Sequence, residues 1–199
     1  MNIQTPDPPE SSVRSAQEGI QELMTADQGP TADRVGLLAQ EPLDSVRLTA
    51  PHKIYVLSLQ DLLEGNVDVI SHARYVGWRF LVGSDRQGIV GAAETTGTDE
   101  YGEHSFAALS QDSSPDFTRD LIESVERDRD AEESELRLLR IPAAYSTNLW
   151  FHGGSQELMI PLPPVPGVLS PGAFYDASEL FDALRRVVEE QRPSGATSN

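Results

Sequence analysis

The chain contains no cysteine, and this absence excludes several kinds of site at once. Without thiols there is no disulfide, thiolate zinc site, iron–sulfur cluster or cysteine nucleophile. The chain also has no uninterrupted apolar run of about 18 residues, which a membrane-spanning helix requires. The polar, proline-rich segment from Met1 to Glu10 lacks the apolar region of a signal peptide. We therefore expect a cytoplasmic protein that does not act at a membrane.

Positive charge is scarce as well. Lys53 is the only lysine beside fourteen arginines, and the formal net charge is −17. A strongly acidic surface repels phosphate, which argues against nucleic acids and anionic membranes as partners. The same charge keeps a protein in solution, and it attracts a basic partner. The sequence leaves both interpretations open.

The loops that bind nucleotide phosphates are missing too. Neither Gly-x-x-x-x-Gly-Lys nor Gly-x-Gly-x-x-Gly occurs in the chain. The sequence therefore predicts no nucleotide, and it indicates no other cofactor.

What is present is a clear alternation of strand and helix patterns. The segment Glu135–Leu162 has the highest apolar and aromatic content and is predicted to form three short strands. Val76, Trp78, Phe80 and Val82 alternate in an earlier strand, which returns after a short turn as residues 88–96. Helical spacing recurs in residues 12–26, from 114 onward and in 177–192. This order predicts an α+β fold, with a mainly antiparallel sheet packed by helices and covered on one side.

The same patterns predict the domain organisation. Residues 1–11 and 193–199 read as disordered tails, because they are rich in proline or small polar residues. Residues 12–42 read as an N-terminal helical arm, whose second helix spans 31–40. The arm is expected to dock on the main domain or on a second copy. Residues 43–192 are predicted to form a single α+β domain.

Candidates for catalysis are weak. His104 lies in an acidic loop with Asp99, Glu100 and Glu103, but the spacing matches no calcium-binding loop. Ser155 follows two glycines beside His152, which a hairpin turn explains better than a nucleophile. A further carboxylate within a strand, that of Glu94, has no second acid placed beside it by the sequence. We predict no catalytic and no metal-binding residue, although Glu94, His104 and His152 would form a site if the fold brought them together.

One strand suggests a surface for a partner. If Tyr145, Leu149 and Phe151 face the core, then Trp150 lies on the opposite face. Residues Arg140, Asn148, Trp150 and His152 are then the candidate partner-binding residues. An exposed tryptophan beside an arginine is typical of protein interfaces. The alternative is that a helix covers this face.

The sequence carries no motifs of a family that we recognise. Its function therefore has to be inferred from these features alone. They favour a small, acidic, non-catalytic protein that binds another protein, such as a basic one, or associates with itself as a homodimer. The alternative is a small hydrolase or metal-dependent enzyme, whose site would be assembled from residues distant in the sequence.

Overall fold

The computed structural model describes residues 2–25, 38, 41–64, 69–110, 114–128, 133–153 and 156–191. Within these residues the chain has four α-helices and a nine-stranded sheet, which confirms the α+β class. The helices are α1 (Glu10–Thr25), α2 (Leu59–Glu64), α3 (Ser114–Asp128) and α4 (Ala177–Gln191). None of these described helices has the length and apolar composition that crossing a bilayer requires.

The strands follow one another in a single sheet. They are β1 (Asn2–Gln4), β2 (Val46–Val56), β3 (Arg74–Ser84), β4 (Gly88–Gly97), β5 (His104–Ser110), β6 (Glu133–Ile141), β7 (Ser146–His152), β8 (Leu158–Leu162) and β9 (Tyr175–Asp176). Their order is β5-β4-β3-β2-β6-β7-β8-β9, and β1 also pairs with β6. Among the described pairs, β1–β6 and β2–β6 are parallel and the others are antiparallel. The mainly antiparallel sheet is thus confirmed.

Both faces of the sheet are covered by helices, whereas the sequence predicts cover on one side. On the front face, defined as the face of Lys53 and Tyr55, α1 packs on Trp78 and Phe80. Leu62 of α2 and several residues of α4 also pack on the front face, in one cluster with Tyr55 and Trp150. The opposite, back face is covered by α3, whose Val125 belongs to a cluster with the apolar residues Leu136, Leu149 and Phe151. Alternation alone cannot reveal this, because large apolar side chains occur on both faces of β6–β8, such as Trp150 on the front and Phe151 on the back.

A shift in strand pairing places one further aromatic ring on the front face. The register between β2 and β3 moves by one residue between Ile54 and Tyr55, where Gly77 has a φ of +155°. As a result Tyr75 pairs with Tyr55, while Val76 packs in the cluster of the back face. The sequence predicts that Val76 and Trp78 lie on the same face, and this prediction is wrong for Val76. The irregularity in the strand brings Tyr75 to the front face in its place.

The N-terminal residues are more ordered than the sequence predicts. In the segment predicted as a tail, Asn2–Gln4 pair with Glu133–Glu135, and Ile3 packs in the cluster of the back face. Helix α1 begins at Glu10 and buries Ala16 and Ile20 against the sheet. Strand β1 can pair here because β2 pairs with β6 only from Arg137 onward, which leaves Glu133–Glu135 to β1.

Two other predictions fall on residues that are not described. Of the second arm helix, predicted over 31–40, only Leu38 is described, and it is buried in the cluster beneath α1. The predicted C-terminal tail, 193–199, lies outside the described residues altogether.

Candidate functional site

The exposed tryptophan surface predicted from the sequence is not present. Trp150 is only 3% exposed, and it packs in the cluster that contains Leu180 and Leu184 of α4. Its indole N–H donates to the carboxylate of Glu157. Asn148 is fully buried, and its side-chain amide donates a hydrogen bond to the carbonyl oxygen of Leu139 at 3.4 Å. The alternative interpretation therefore holds, and the helix that covers this face is α4.

The other two predicted partner residues lie on opposite faces of the sheet. His152 is half-buried on the front face, with Nδ1 at 2.8 Å from Oε1 of Glu157. Arg140 lies on the back face and donates to Oε1 of Glu94 at 2.6 Å. Residues Arg140, Asn148, Trp150 and His152 therefore form no common surface. The cause is the register of β6 and β7, in which Arg137, and not Arg140, is opposite Trp150.

Instead, the front face carries a row of five rings that crosses the sheet between α1 and α4. In order they are His104, Tyr75, Tyr55, Trp150 and His152, with neighbouring ring centroids 6.2, 6.0, 5.2 and 5.2 Å apart. Each pair has an edge-to-face arrangement, which aromatic rings favour. The guanidinium of Arg137 lies 5.1 Å from the ring centre of Tyr55 and 4.7 Å from that of Trp150. We call these five rings and Arg137 the central row.

The first ring of the central row depends on a glycine. A Cβ at Gly97 would lie 2.6 Å from the ring of His104, so only glycine lets this ring cross β4 towards Tyr75. The hydroxyl of Tyr75 then donates to Nε2 of His104 at 2.6 Å, and Nδ1–H donates to the carbonyl oxygen of Gly102 at 2.9 Å. His104 is therefore a fixed structural link between the row and the loop that precedes β5.

Charged side chains run beside the central row. Nζ of Lys53 lies 2.8 Å from Glu100 and 3.4 Å from Glu135, and Arg137 donates to Glu135 at 2.7 Å. Burial acts to raise the pKa of Glu135, but Arg137 and Lys53 outweigh it and lower that pKa below its ordinary value. Tyr55 donates to Glu100 at 2.9 Å, and burial raises its pKa despite the nearby Arg137. These ionised pairs connect β2, β6 and the loop before β5.

That loop, residues 98–103, is the most exposed part of the site, and we call it the acidic loop. Glu100 connects it to Lys53 and Tyr55, and Ser11 of α1 donates to the carbonyl oxygen of Gly102 at 2.7 Å. The carboxylate of Asp99 accepts the backbone N–H of Tyr101 at 3.0 Å. The side chain of Tyr101 is 83% exposed. The loop is thus fixed by its buried side chains and presents an aromatic ring to solvent.

The residues proposed for an enzymatic site do not converge. Glu94 lies on the back face with Arg140, whereas His104 and His152 are at opposite ends of the central row on the front face. In the part of the chain that the structure describes, no group of three or more histidine and acidic residues is arranged to hold a metal ion. In the acidic loop, Glu100 pairs with Lys53 and Tyr55, and Asp99 accepts a backbone N–H of the loop itself.

Comparison with known proteins gives no matching family model, no similar curated protein and no similar solved structure.

Sequence reasoning missed most of the central row, but two signals pointed towards it. Lys53 is the only lysine of the chain, and it lies at the centre of the charged network. Tyr101, which lies in the neighbouring acidic loop and not in the row itself, is the aromatic residue of a stretch that was expected at most to bind a metal ion. Arg137 gave no signal, because alternating polar residues in a strand are expected wherever one face meets solvent.

Proposed function

We propose that this protein is a non-catalytic interaction module, which binds an arginine- or lysine-containing segment of a partner protein at the acidic loop. The observation that carries this proposal is Tyr101, an 83% exposed aromatic side chain between the acidic residues Asp99 and Glu103 on an anchored loop.

The chemistry of the loop suits a cation. The face of a tyrosine ring attracts a guanidinium or ammonium group, and a neighbouring carboxylate adds a charge-assisted hydrogen bond. Asp99 and Glu103 are both exposed on the same loop, so their carboxylates are accessible to such a group. Arginine fits this combination best, because its planar group stacks on a ring while its N–H groups reach an acid.

Anchoring of the loop favours binding as well. Three side chains hold the loop to two elements, Ser11 of α1 and both Lys53 and Tyr55 of β2. A loop that is already ordered loses little conformational entropy when a partner binds, so more of the contact energy appears as affinity. The net charge of −17 adds a long-range attraction for basic segments.

The proposal is tested with a short fluorescein-labelled peptide of alternating arginine and serine, by fluorescence anisotropy at low salt. We expect the wild-type protein to bind it, and Tyr101→Ala to weaken binding about three- to tenfold, because a cation–π contact is removed. The double variant Asp99→Asn/Glu103→Gln should weaken it at least as much. A peptide of alternating glutamate and serine should not bind.

Two matched variants separate the loop from the overall charge. Tyr145→Ala removes another exposed tyrosine, 78% exposed at the turn between β6 and β7. Glu189→Gln/Glu190→Gln removes two exposed charges from α4. If either control weakens binding as much as its counterpart in the loop, attraction is general and the acidic loop is not the site.

A second form of the proposal concerns self-association, and a different observation supports it. Strand β5 is at one end of the strand order, and no described strand pairs with its outer side. Its sequence, HSFAALS, has no acidic or basic residue other than His104, although the chain is 24% charged. Edge strands usually carry charges that prevent pairing. We propose that two copies pair along β5, because this edge strand has no acidic residue and two copies of it would repel each other little.

A further inference from the structure

Three consecutive rings of the central row belong to tyrosine and tryptophan, the side chains that most readily lose a single electron when no thiol is present. They are Tyr75, Tyr55 and Trp150, with neighbouring ring centroids 6.0 and 5.2 Å apart. The chain has no cysteine, so no thiol competes with these rings for a one-electron oxidant. An electron can pass between rings this close without any cofactor between them.

The polar hydrogen of each of these rings is donated to a base and not to a backbone carbonyl. The indole N–H of Trp150 donates to the carboxylate of Glu157, and the hydroxyl of Tyr55 donates to that of Glu100 at 2.9 Å. A buried donor needs a partner, but a carbonyl oxygen would meet that need equally well. A carboxylate can also take the proton itself. Because these side chains become strong acids when they lose an electron, such a partner allows a neutral radical to form.

The third base is the imidazole of His104. The carbonyl oxygen of Gly102 can only accept, so Nδ1 of His104 carries the hydrogen that is donated there at 2.9 Å. Nε2 therefore has a lone pair, and it accepts the hydroxyl of Tyr75 at 2.6 Å. An imidazole is a stronger base than a carboxylate. Of the two tyrosines in the row, Tyr75 is thus the one that loses an electron and a proton more easily.

Arg137 and His152 determine how and where the row can be oxidised. The guanidinium of Arg137 lies 4.7 Å from the ring centre of Trp150 and 5.1 Å from that of Tyr55. A positive charge so close disfavours a radical cation, so each ring has to release its proton as it loses its electron. Trp150 is 3% exposed, but the side chain of its neighbour His152 is 40% exposed. An oxidant can therefore approach the row at the end near α4.

We propose that the central row carries one-electron oxidation from Trp150, near α4, to Tyr75, beside the acidic loop. The oxidant belongs to the class of one-electron acceptors such as peroxyl radicals. In the first step it takes an electron from Trp150 and becomes a peroxide anion, while the indole proton moves to Glu157.

Two further steps move the missing electron along the row. Tyr55 gives an electron to the indole, which takes its proton back from Glu157, and the proton of Tyr55 moves to Glu100. Tyr75 then gives an electron to Tyr55, which takes its proton back from Glu100. The proton of Tyr75 moves to Nε2 of His104. The net result is a neutral tyrosyl radical beside an imidazolium ion, with every other group restored.

The absence of cysteine allows an oxidant to be attached at one chosen position. Ser178→Cys places a thiol on the first turn of α4, in the same small cleft as Glu157. The thiol is labelled with a ruthenium tris-bipyridine complex, which light and a cobalt(III) quencher convert to a one-electron oxidant. Tyr101→Phe, Tyr145→Phe and Tyr175→Phe remove the other three tyrosines, so every tyrosyl radical belongs to the central row.

We expect a tyrosyl radical after the light flash, detected by electron paramagnetic resonance. When the histidines carry a heavy nitrogen isotope, the radical should show coupling to that nitrogen, because Tyr75 is bonded to His104. Trp150→Phe should remove most of the radical, since the electron then has to cross from Tyr55 to the label in one step. The same label at Glu123→Cys, an exposed position of α3 behind the sheet, should give much less radical.

A second variant keeps the proposal testable if Trp150→Phe does not fold. Glu157→Gln leaves an oxygen that accepts the indole N–H but removes the base, so the rate of radical formation should fall. Glu190→Gln removes an exposed charge from α4 and should leave this rate unchanged. Four results would overturn the proposal: no tyrosyl radical from the label at Ser178→Cys, equal yields from Glu123→Cys or in Trp150→Phe, an unchanged rate in Glu157→Gln, and a radical without coupling to histidine.

Discussion

At the scale of the residue, His52 and Lys53 are neighbours in β2 with opposite environments. Lys53 faces the front, where its charge is paired with Glu100 and Glu135. His52 is fully buried on the back and donates from Nδ1 to the carbonyl oxygen of Ala50 at 2.7 Å, while its Nε2 has no hydrogen-bond partner in the described structure. The strand thus keeps a cation on one side and a neutral imidazole on the other.

Burial first, and then the charge of Arg79, lower the pKa of His52 to about 3, and this shift predicts acid sensitivity. Between the ordinary pKa of 6.5 and the folded value of about 3, the unfolded chain binds a proton that the folded chain does not. The free energy of unfolding therefore falls as the pH falls through this range, by up to roughly 4 kcal/mol. In His52→Asn, which keeps a donor for Ala50, this loss should be absent, and urea denaturation at pH 7 and pH 4 measures the difference.

The matched control is His72→Asn, since the side chain of His72 is 63% exposed. Its unfolding should depend on pH as the wild type does. An identical dependence in His52→Asn would show that other groups cause the acid sensitivity.

At the scale of the element, α1 is fitted to the sheet by a glycine. The helix passes so close to β5 that a Cβ at Gly19 would overlap the ring of Phe106. Glycine in a helix interior normally costs about 1 kcal/mol relative to alanine. Here the close approach requires it, because it allows Ala16 and Ile20 to reach Trp78 and Phe80.

Gly19→Ala should therefore destabilise the protein by about 1–3 kcal/mol, although alanine favours a helix, since the ring of Phe106 has to move. Gln17→Ala, at an exposed position of the same helix, should be neutral or slightly stabilising. Thermal unfolding of Gly19→Ala, Phe106→Leu and the double variant measures the coupling. If the changes in the free energy of unfolding are additive, the overlap with the ring of Phe106 is not the cause of the destabilisation.

At the scale of the whole molecule, the net charge of −17 gives the two proposed interactions opposite responses to salt. Salt screens repulsion between two acidic copies, so pairing along β5 should become stronger from low to physiological ionic strength. The attraction of the acidic loop for a basic peptide should become weaker over the same range. Two interactions that both depend on the acidic charge are thereby distinguishable.

The mass in solution, measured by light scattering against salt, tests the pairing. Ala107→Lys places a charge at an exposed position of β5 and should keep the protein monomeric, since two such strands would repel each other. Thr25→Lys, at the exposed end of α1, adds the same charge away from the edge and should not change the mass. A wild-type protein that stays monomeric at all salt concentrations would reject self-association along β5.

How much the sequence could predict depended on whether a signal was local. The strands β3 and β4 and the three strands β6–β8 follow from alternation and turn residues, and the structure confirms them. The position of Trp150 could not be derived, because alternation separates two faces without saying which of them meets solvent. The short strand at Asn2–Gln4 was equally invisible, since its stability comes from pairing with β6 and not from its own residues.

The sequence by itself determined the class of fold, the acidic charge and the absence of thiol chemistry, because these depend on composition and on local periodicity. The tertiary structure alone decided which polar residues meet. Arg140 of β6 reaches Glu94 of β4 across the back face, and the glycine at position 97 lets His104 reach Tyr75 on the front. Such contacts arise from register, curvature and the direction of side chains, which are properties of paired strands and are not encoded in any single segment.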